Sequence, residues 1–234
     1  GDRVWLFQAV VPYLWSTAHI EMRVSNDRGQ TWSSPAVVSH QIGSNTRYPP
    51  VQTMDGGYLL PAYDDLFQRL LFFYSPDGQQ WNLQSHVSCI PPYNCIQASV
   101  VCLADGRLLA VMRNTGRGWL WVMASDDDGK SWSLPKDSHF PNPDSPAVLL
   151  QLNSGNLILV YNDSVTDRQR LSVAISGDEG LTWPHHRIIA DGSSSYSYPA
   201  AVQTPDGLIH VLYSLGRHTI QHIVLNEAWI ASSG

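Results

Sequence analysis

The chain has 234 residues, with 20 acidic side chains against 14 Lys and Arg and a net charge of −6. It carries no basic stripe that would release counterions from a phosphate backbone, which argues against a nucleic-acid partner. No apolar run reaches the roughly 18 residues of a membrane span, and 15% charged residues with 17 Gly and 15 Pro suit one large all-β domain of short strands and tight turns.

From the N-terminus, neither a basic n-region nor an apolar h-region opens the chain, so a signal peptide is expected to be absent or already removed. The first element, Val4-Trp-Leu-Phe-Gln-Ala-Val10, reads as the second strand of a sheet whose first strand is missing. Then comes Ser25-Asn-Asp-Arg-Gly-Gln-Thr-Trp32, a spelling that recurs as Ser75-Pro-Asp-Gly-Gln-Gln-Trp81, Ser125-Asp-Asp-Asp-Gly-Lys-Ser-Trp132 and Ser176-Gly-Asp-Glu-Gly-Leu-Thr-Trp183. The tryptophans fall at 32, 81, 132 and 183, a period of about fifty residues that marks a repeat architecture. Ser and Asp hydroxyl and carboxyl groups bond nearby backbone and Gly permits a positive φ, so each copy closes its own turn. The following Trp is suited to wedge between neighbouring units.

Between these turns lies a second repeat of strand, turn and strand. It appears in Val51-Gln-Thr-Met-Asp-Gly-Gly-Tyr-Leu-Leu60, Val100-Val-Cys-Leu-Ala-Asp-Gly-Arg-Leu-Leu109, Val148-Leu-Leu-Gln-Leu-Asn-Ser-Gly-Asn-Leu157 and Val202-Gln-Thr-Pro-Asp-Gly-Leu-Ile-His-Val211. Asp-Gly or Ser-Gly between apolar runs is a hairpin signal. A third strand leads into each Trp-bearing turn (Leu70–Tyr74, Trp119–Ala124, Leu171–Ile175), and a fourth follows it (Pro35–Ser39, Ser85–Ser88, Arg187–Ala190). Four antiparallel strands every fifty residues, roughly, describe a propeller blade. The chain therefore predicts an all-β β-propeller of about five blades, a single domain over residues 1–234 that lacks its first strand or blade. It completes its ring alone, as five blades, or by pairing with a neighbour.

Cys89 and Cys95 flank a loop short enough for a disulfide, while Cys102 lies in an apolar run and reads as a buried thiol. The pair fits an oxidising compartment, secreted or periplasmic, and two reduced loop cysteines fit equally. No cysteine or histidine spacing suggests a metal, and His185-His186 is expected to face solvent on a strand edge. No cofactor is expected.

With the strands labelled A to D outward, the starts of A and the ends of B share one face of the domain, and the Trp-bearing turns lie on the other. The shared face receives Arg47, Tyr48, Gln97, Asp144, Ser145, Tyr196 and Tyr198 from the starts of A. The ends of B and the loops after them add Tyr63, Asp64, Asp65, Arg113, Asn114, Asn162, Asp163, Arg168, Arg217 and His218. Arginine grips a carboxylate in a fixed two-pronged geometry, so this set suggests an anionic ligand such as an acidic sugar.

The four Ser-x-Asp-x-Gly-x-Thr-Trp copies resemble the Asp boxes of the sialidase superfamily, and the resemblance implies a propeller of six blades. It also implies an exo-sialidase-like glycoside hydrolase with a carbohydrate partner, in which three arginines clamp a carboxylate. A tyrosine is the nucleophile there, a glutamate activates it, and an aspartate is acid and base, an exception to the two-carboxylate scheme. On that resemblance Tyr198 is the nucleophile, Arg113 and Arg168 are the second and third clamps with Arg170 a rival for Arg168, and Arg217 and Tyr196 join the ligand site. Arg47 is the one echo of the first clamp, and Asp64 or Asp65 stands for the acid. The activating position holds Gln97, which takes up no proton at a useful pH, so a non-catalytic glycan-binding propeller is the alternative. Pro141-Asn-Pro-Asp-Ser145, Tyr196-Ser-Tyr-Pro-Ala200 and Asp206-Gly-Leu-Ile-His-Val-Leu-Tyr213 are similar to a BNR-repeat subgroup read as exo-sialidases.

Overall fold

The computed structural model describes residues 3–89, 94–116 and 118–232. They fall into two compact units, the first from residues 1–98 with 127–131 and the second from 99–126 with 132–234.

The first unit opens with an antiparallel sheet in the order β1 (Val4–Val10), β2 (His19–Ser25), β3 (Ala36–Ser39). Among the described residues β1 is an edge strand of that sheet. The second sheet runs β4 (Ser44–Thr46), β6 (Tyr58–Asp64), β7 (Arg69–Ser75), β8 (Asn82–Val87), with β5 (Val51–Gln52) also paired to β6. Its inner strand is broken between β4 and β5, where Pro49 and Pro50 supply no N–H to a ladder. Ile20, Met22, Leu60, Ala62, Leu71, Phe73 and Trp81 form the core of this unit. Phe7 meets Trp81 edge-to-face at 5.3 Å between ring centroids, a geometry that adds to plain burial.

β9 (Cys95–Cys102) begins in the first unit and continues into the second, where it heads the sheet β9, β10 (Leu108–Asn114), β11 (Trp119–Ser125), β12 (Lys136–Pro141). Next comes β13 (Val148–Gln151), β14 (Leu157–Asn162), β15 (Arg170–Ser176), β16 (His185–Asp191). The last sheet has three strands, β17 (Tyr196–Gln203), β18 (Ile209–Leu215) and β19 (Thr219–Leu225), followed by a short helix α1 (Glu227–Ala231). All are antiparallel hairpins, and each apolar run that predicted a strand forms one. The second unit's core gathers Val101, Leu103, Val111, Leu120, Phe140, Leu149, Leu157, Leu159 and Tyr161. Burial pushes the Tyr161 phenol well above the usual range.

The boxes close on themselves. In the first, Ser25 Oγ donates to Asp27 Oδ1 at 2.6 Å and accepts from Gly29 N at 2.7 Å, while Thr31 donates to Asp27 through N at 2.9 Å and Oγ1 at 2.6 Å. The fourth repeats these bonds at Ser176, Asp178, Gly180 and Thr182. Trp32 and Trp183 spend their indole N–H on Gly29 O and Gly180 O of their own turns. Trp32 is 37% exposed, whereas Trp81 lies in the first unit's core and Trp183 packs against the second unit's. The fourth box position is left-handed (Arg28 φ 61°, Asp128 φ 59°, Glu179 φ 59°), and in two of the boxes it holds a hairpin turn of another sheet in the same unit. Met54 N donates to Asp128 Oδ1 at 3.2 Å, and Arg107 Nη2 to Glu179 Oε2 at 2.5 Å. The last sheet has no box, and Glu227 of α1 takes that role by accepting from Ser154 Oγ at 3.1 Å and from Asn156 Nδ2.

Three expectations are refined. Cys89 and Cys95 are joined as a disulfide. Cys102 is half-exposed, because β9 alternates and turns Val101 and Leu103 inward instead. His186 lies at the surface, yet its ring bonds Tyr161 Oη at 3.0 Å and Trp183 O at 2.8 Å and stacks on Phe140, so it belongs to the packing.

Candidate active site

At the start of β9, just ahead of β13 and within β17, the same irregularity recurs. Gln97 (φ 57°), Asp144 (φ 55°) and Tyr198 (φ 57°) are each left-handed, a conformation that costs non-glycine residues about 1–3 kcal/mol and concentrates at functional sites. In β17 it falls in a register shift between Ser197 and Ala200 that leaves Tyr198 39% exposed while Ser197 and Pro199 stay buried.

In the first unit, Gln97 is buried and its Nε2 donates to Tyr63 Oη at 3.3 Å. Asp64 and Asp65 end β6 side by side but differ in surroundings. Asp64 is wholly buried, accepting from Leu66 N at 2.8 Å, Phe67 N at 3.1 Å, Gln41 Nε2 at 3.3 Å and Arg69 Nε at 3.3 Å. Its oxygens are committed to closing the β6–β7 turn. Asp65 is half-buried and held by Asn45 Nδ2 at 2.7 Å, so of the two acid candidates it alone keeps accessible surface. Arg47 folds back on its neighbour, with Nε 3.3 Å from Tyr48 Oη and its guanidinium over that ring at 5.4 Å. It lines a cavity of about 470 Å³ with Trp5, Phe7, Tyr48 and Tyr58.

In the second unit, Arg113, Arg168 and Tyr198 come together through Asp144. Arg113 Nε donates to Asp144 Oδ1 at 2.5 Å, and Thr115 Oγ1 reaches the same oxygen at 3.2 Å. Arg168 Nη2 donates to the Asp144 carbonyl at 2.7 Å, and its guanidinium lies over the Tyr198 ring at 5.6 Å. Arg168 Nη1 is buried with no hydrogen-bond partner among the described residues. An orphaned guanidinium donor is costly unless something else satisfies it. Arg170, the rival for the third clamp, turns away to Asp191 at 3.0 Å on an exposed flank.

A buried polar frame holds this array. Asn142 exchanges bonds with Ser145, donating from Nδ2 to the Ser145 carbonyl at 2.8 Å and accepting from Ser145 N at 3.0 Å. Ser145 Oγ donates to Asn162 Oδ1 at 2.7 Å, and Asn162 Nδ2 donates to Tyr196 O at 2.8 Å and Arg170 O at 3.1 Å. Asn142, Ser145 and Asn162 are almost wholly buried. The two inner-strand starts that carry Asp144 and Tyr198 are thus pinned to one framework. Tyr196 packs edge-to-face on Tyr213 at 5.9 Å, and burial, then Tyr196, raises the Tyr213 phenol. Arg217 is exposed at the β18–β19 turn, which Gly216 N ties to Ser195 O at 2.8 Å. Sequence reasoning placed Asp144 and Asn162 on this face but assigned them no role; the Pro141-Asn-Pro-Asp-Ser145 run was the signal.

Solved structures of sialidases share this architecture. Hadza microbial sialidase Hz136 superposes with a TM-score of 0.79 at 18% identity, covering 98% of this chain and 51% of that one. The leech intramolecular trans-sialidase complexed with 2,7-anhydro-Neu5Ac gives 0.75 at 21% identity, covering 92% and 37%. The fold is therefore an all-β propeller arrangement of five antiparallel blade sheets. The chain belongs to the BNR repeat-like domain family, which it matches over residues 1–211. Among curated relatives, a sialidase of Micromonospora viridifaciens is 28% identical, covering 91% of this chain and 36% of the relative. A sialidase of Bacteroides fragilis is 26% identical, covering 90% and 42%. The chain spans less than half the length of these relatives, and it is sialidase-like at the level of family and fold.

Proposed function

We propose that the chain carries a sialidase-like glycoside hydrolase site acting on terminal sialic acid or another acidic sugar. The observation that supports this most is Arg168, whose buried Nη1 has no hydrogen-bond partner among the described residues while its guanidinium covers the exposed Tyr198 ring. A substrate carboxylate satisfies that donor and sets the sugar against the phenol.

In this reading Tyr198 Oη loses its proton to solvent water and attacks the anomeric carbon, the glycosidic C–O bond breaks, and the leaving oxygen takes a proton from an acid. Water then attacks the same carbon, giving one proton back to that acid's carboxylate, and the tyrosyl–sugar bond breaks to release a phenolate that solvent reprotonates. Asp65 is the better acid of the two candidates, since Asp64 spends its carboxylate on backbone and Arg69. Arg113 and Arg168 hold the carboxylate, with Arg47, Arg217 and Tyr196 as further ligand contacts. A phenol titrating near 10 needs a base to attack at neutral pH, and Gln97 supplies none. That favours a second reading, a propeller that binds acidic glycans without cleaving them.

Turnover of an aryl sialoside by the purified chain, lost in Tyr198→Phe, is the expected result. Glycan binding with no turnover supports the second reading, and neither binding nor turnover overturns both.

A further inference from the structure

We infer that His210 and His222 form a two-imidazole binding site on the last sheet for a transition-metal dication of the Cu²⁺ or Ni²⁺ class. Neither residue belongs to the site proposed above for acidic sugars.

Strand register makes the pair, and spacing along the chain conceals it. β18 and β19 set His210 opposite Val224 and Leu212 opposite His222. Histidines twelve positions apart thus stand diagonally on one face, within reach of each other's rings. The ring planes lie 12° apart with centroids at 5.1 Å, and His210 Nδ1 is 2.9 Å from His222 Nε2. One proton occupies that contact, with one nitrogen donating and the other accepting. A dication that replaces the proton at a right angle between two metal–nitrogen bonds of about 2.0–2.1 Å needs nitrogens about 2.8–3.0 Å apart. The observed separation meets that requirement. A right angle is the tetragonal preference of Cu²⁺ and Ni²⁺, whereas tetrahedral Zn²⁺ needs about 3.3–3.4 Å.

The surroundings leave the pair open to an ion. His222 is exposed and His210 half-exposed, on the side of the sheet where Leu212, Ile220 and Val224 also meet solvent, while Val211, Tyr213 and Leu225 are buried behind it. The rings therefore have room to turn both lone pairs towards one ion. Because the contact uses His210 Nδ1 and His222 Nε2, each ring can carry its proton on the opposite nitrogen and keep the contact nitrogen as a ligand. Asp206, in the turn between β17 and β18, adds a carboxylate within electrostatic reach of His210, which favours a cation there. Among the described residues no group of three or more His, Cys, Asp or Glu is placed to share an ion, so water completes the coordination. The ion ties β19, an edge strand among the described residues and the one that leads into α1, to β18.

The test titrates the whole chain, freed of metal by a chelator, with copper, nickel and zinc salts by calorimetry, beside His210→Gln and His222→Gln. The parent is expected to bind Cu²⁺ and Ni²⁺ more tightly than Zn²⁺. Either variant is expected to weaken Cu²⁺ and Ni²⁺ at least about tenfold, because one imidazole alone forfeits the second, linked ligand. The Cu²⁺ electron paramagnetic resonance spectrum is expected to show two coupled nitrogens in the parent and one in either variant. Ni²⁺ at ten times its Kd is expected to raise the parent's melting temperature by about 2–4 °C and that of the variants by less. Should a variant not fold, Cu²⁺ broadening of the parent's amide signals is expected at His210, Leu212, His222 and Val224, and broadening confined to other segments overturns the assignment. Equal affinity in the parent and both variants marks an adventitious ion held elsewhere and overturns it too, as does a parent that binds neither Cu²⁺ nor Ni²⁺.

Discussion

Two sets of left-handed residues contrast within the molecule. Arg28, Asp128 and Glu179 sit in the Asp-box turns, and Gln97, Asp144 and Tyr198 sit at the inner strand starts, all with φ between 55° and 61°. In the boxes the strain is relieved within eight residues, because Ser, Asp, Thr and Gly of one turn satisfy one another. At the strand starts of the second unit relief comes from far along the chain: Ser145 leans on Asn162, and Asn162 on Tyr196. The same backbone angle thus builds a self-contained staple in one place and, in the other, an exposed side chain held by distant partners.

Tyr198→Phe is the sharpest attempt to break this contrast. It leaves the backbone and ring in place, so the proposed site loses at least about a hundredfold in aryl sialoside turnover, with an unchanged melting temperature. Retained turnover would show that the strained tyrosine is only a packing feature. Gln97→Glu is expected to act in the opposite sense: on the sialidase resemblance it restores a base and raises kcat about tenfold or more. A Gln97→Glu chain that gains binding but no turnover would favour the non-catalytic reading.

Asn162→Ala probes the frame. Removing a buried amide that satisfies Ser145, Tyr196 and Arg170 is expected to destabilise the chain by about 3 kcal/mol, measured by denaturant midpoint. A loss below about 1 kcal/mol would mean the strand starts hold their shape without it. The smallest effect belongs to the boxes. Hydrogen bonds from Ser25 and then Thr31 lower the Asp27 carboxyl from 3.8 to about 2, and those from Thr182 lower Asp178. A depressed folded value means the stabilisation is complete above the unfolded value and drains as pH falls from about 4 towards about 2. Asp27→Asn should therefore lower the melting temperature slightly in the neutral region and leave it nearly unchanged near pH 2, which flattens the acid limb.

The repeat and the strand sequence were legible because each rests on short-range chemistry. Apolar runs of strand length, Asp-Gly hairpins and a motif that satisfies its own hydrogen bonds need no distant partner to form. Even the pairing of Cys89 with Cys95 was bounded by its spacing. The choice between Asp64 and Asp65 was not legible, since adjacent residues at a strand end carry the same label in a pattern. Only the β6–β7 turn, with its two backbone donors and Arg69, absorbs the first and spares the second. Arg168 and Arg170 were likewise interchangeable as letters. Alternation in β15 and the presence of Asp191 across the ladder draw Arg170 outward, while Asp144 draws Arg168 inward. The sequence by itself determined which turns and strands exist, because those depend on neighbours within about ten residues. Which arginine faces the tyrosine, and which residue holds it there, were decided by contacts 24 to 34 residues apart, and no local pattern encodes such a meeting.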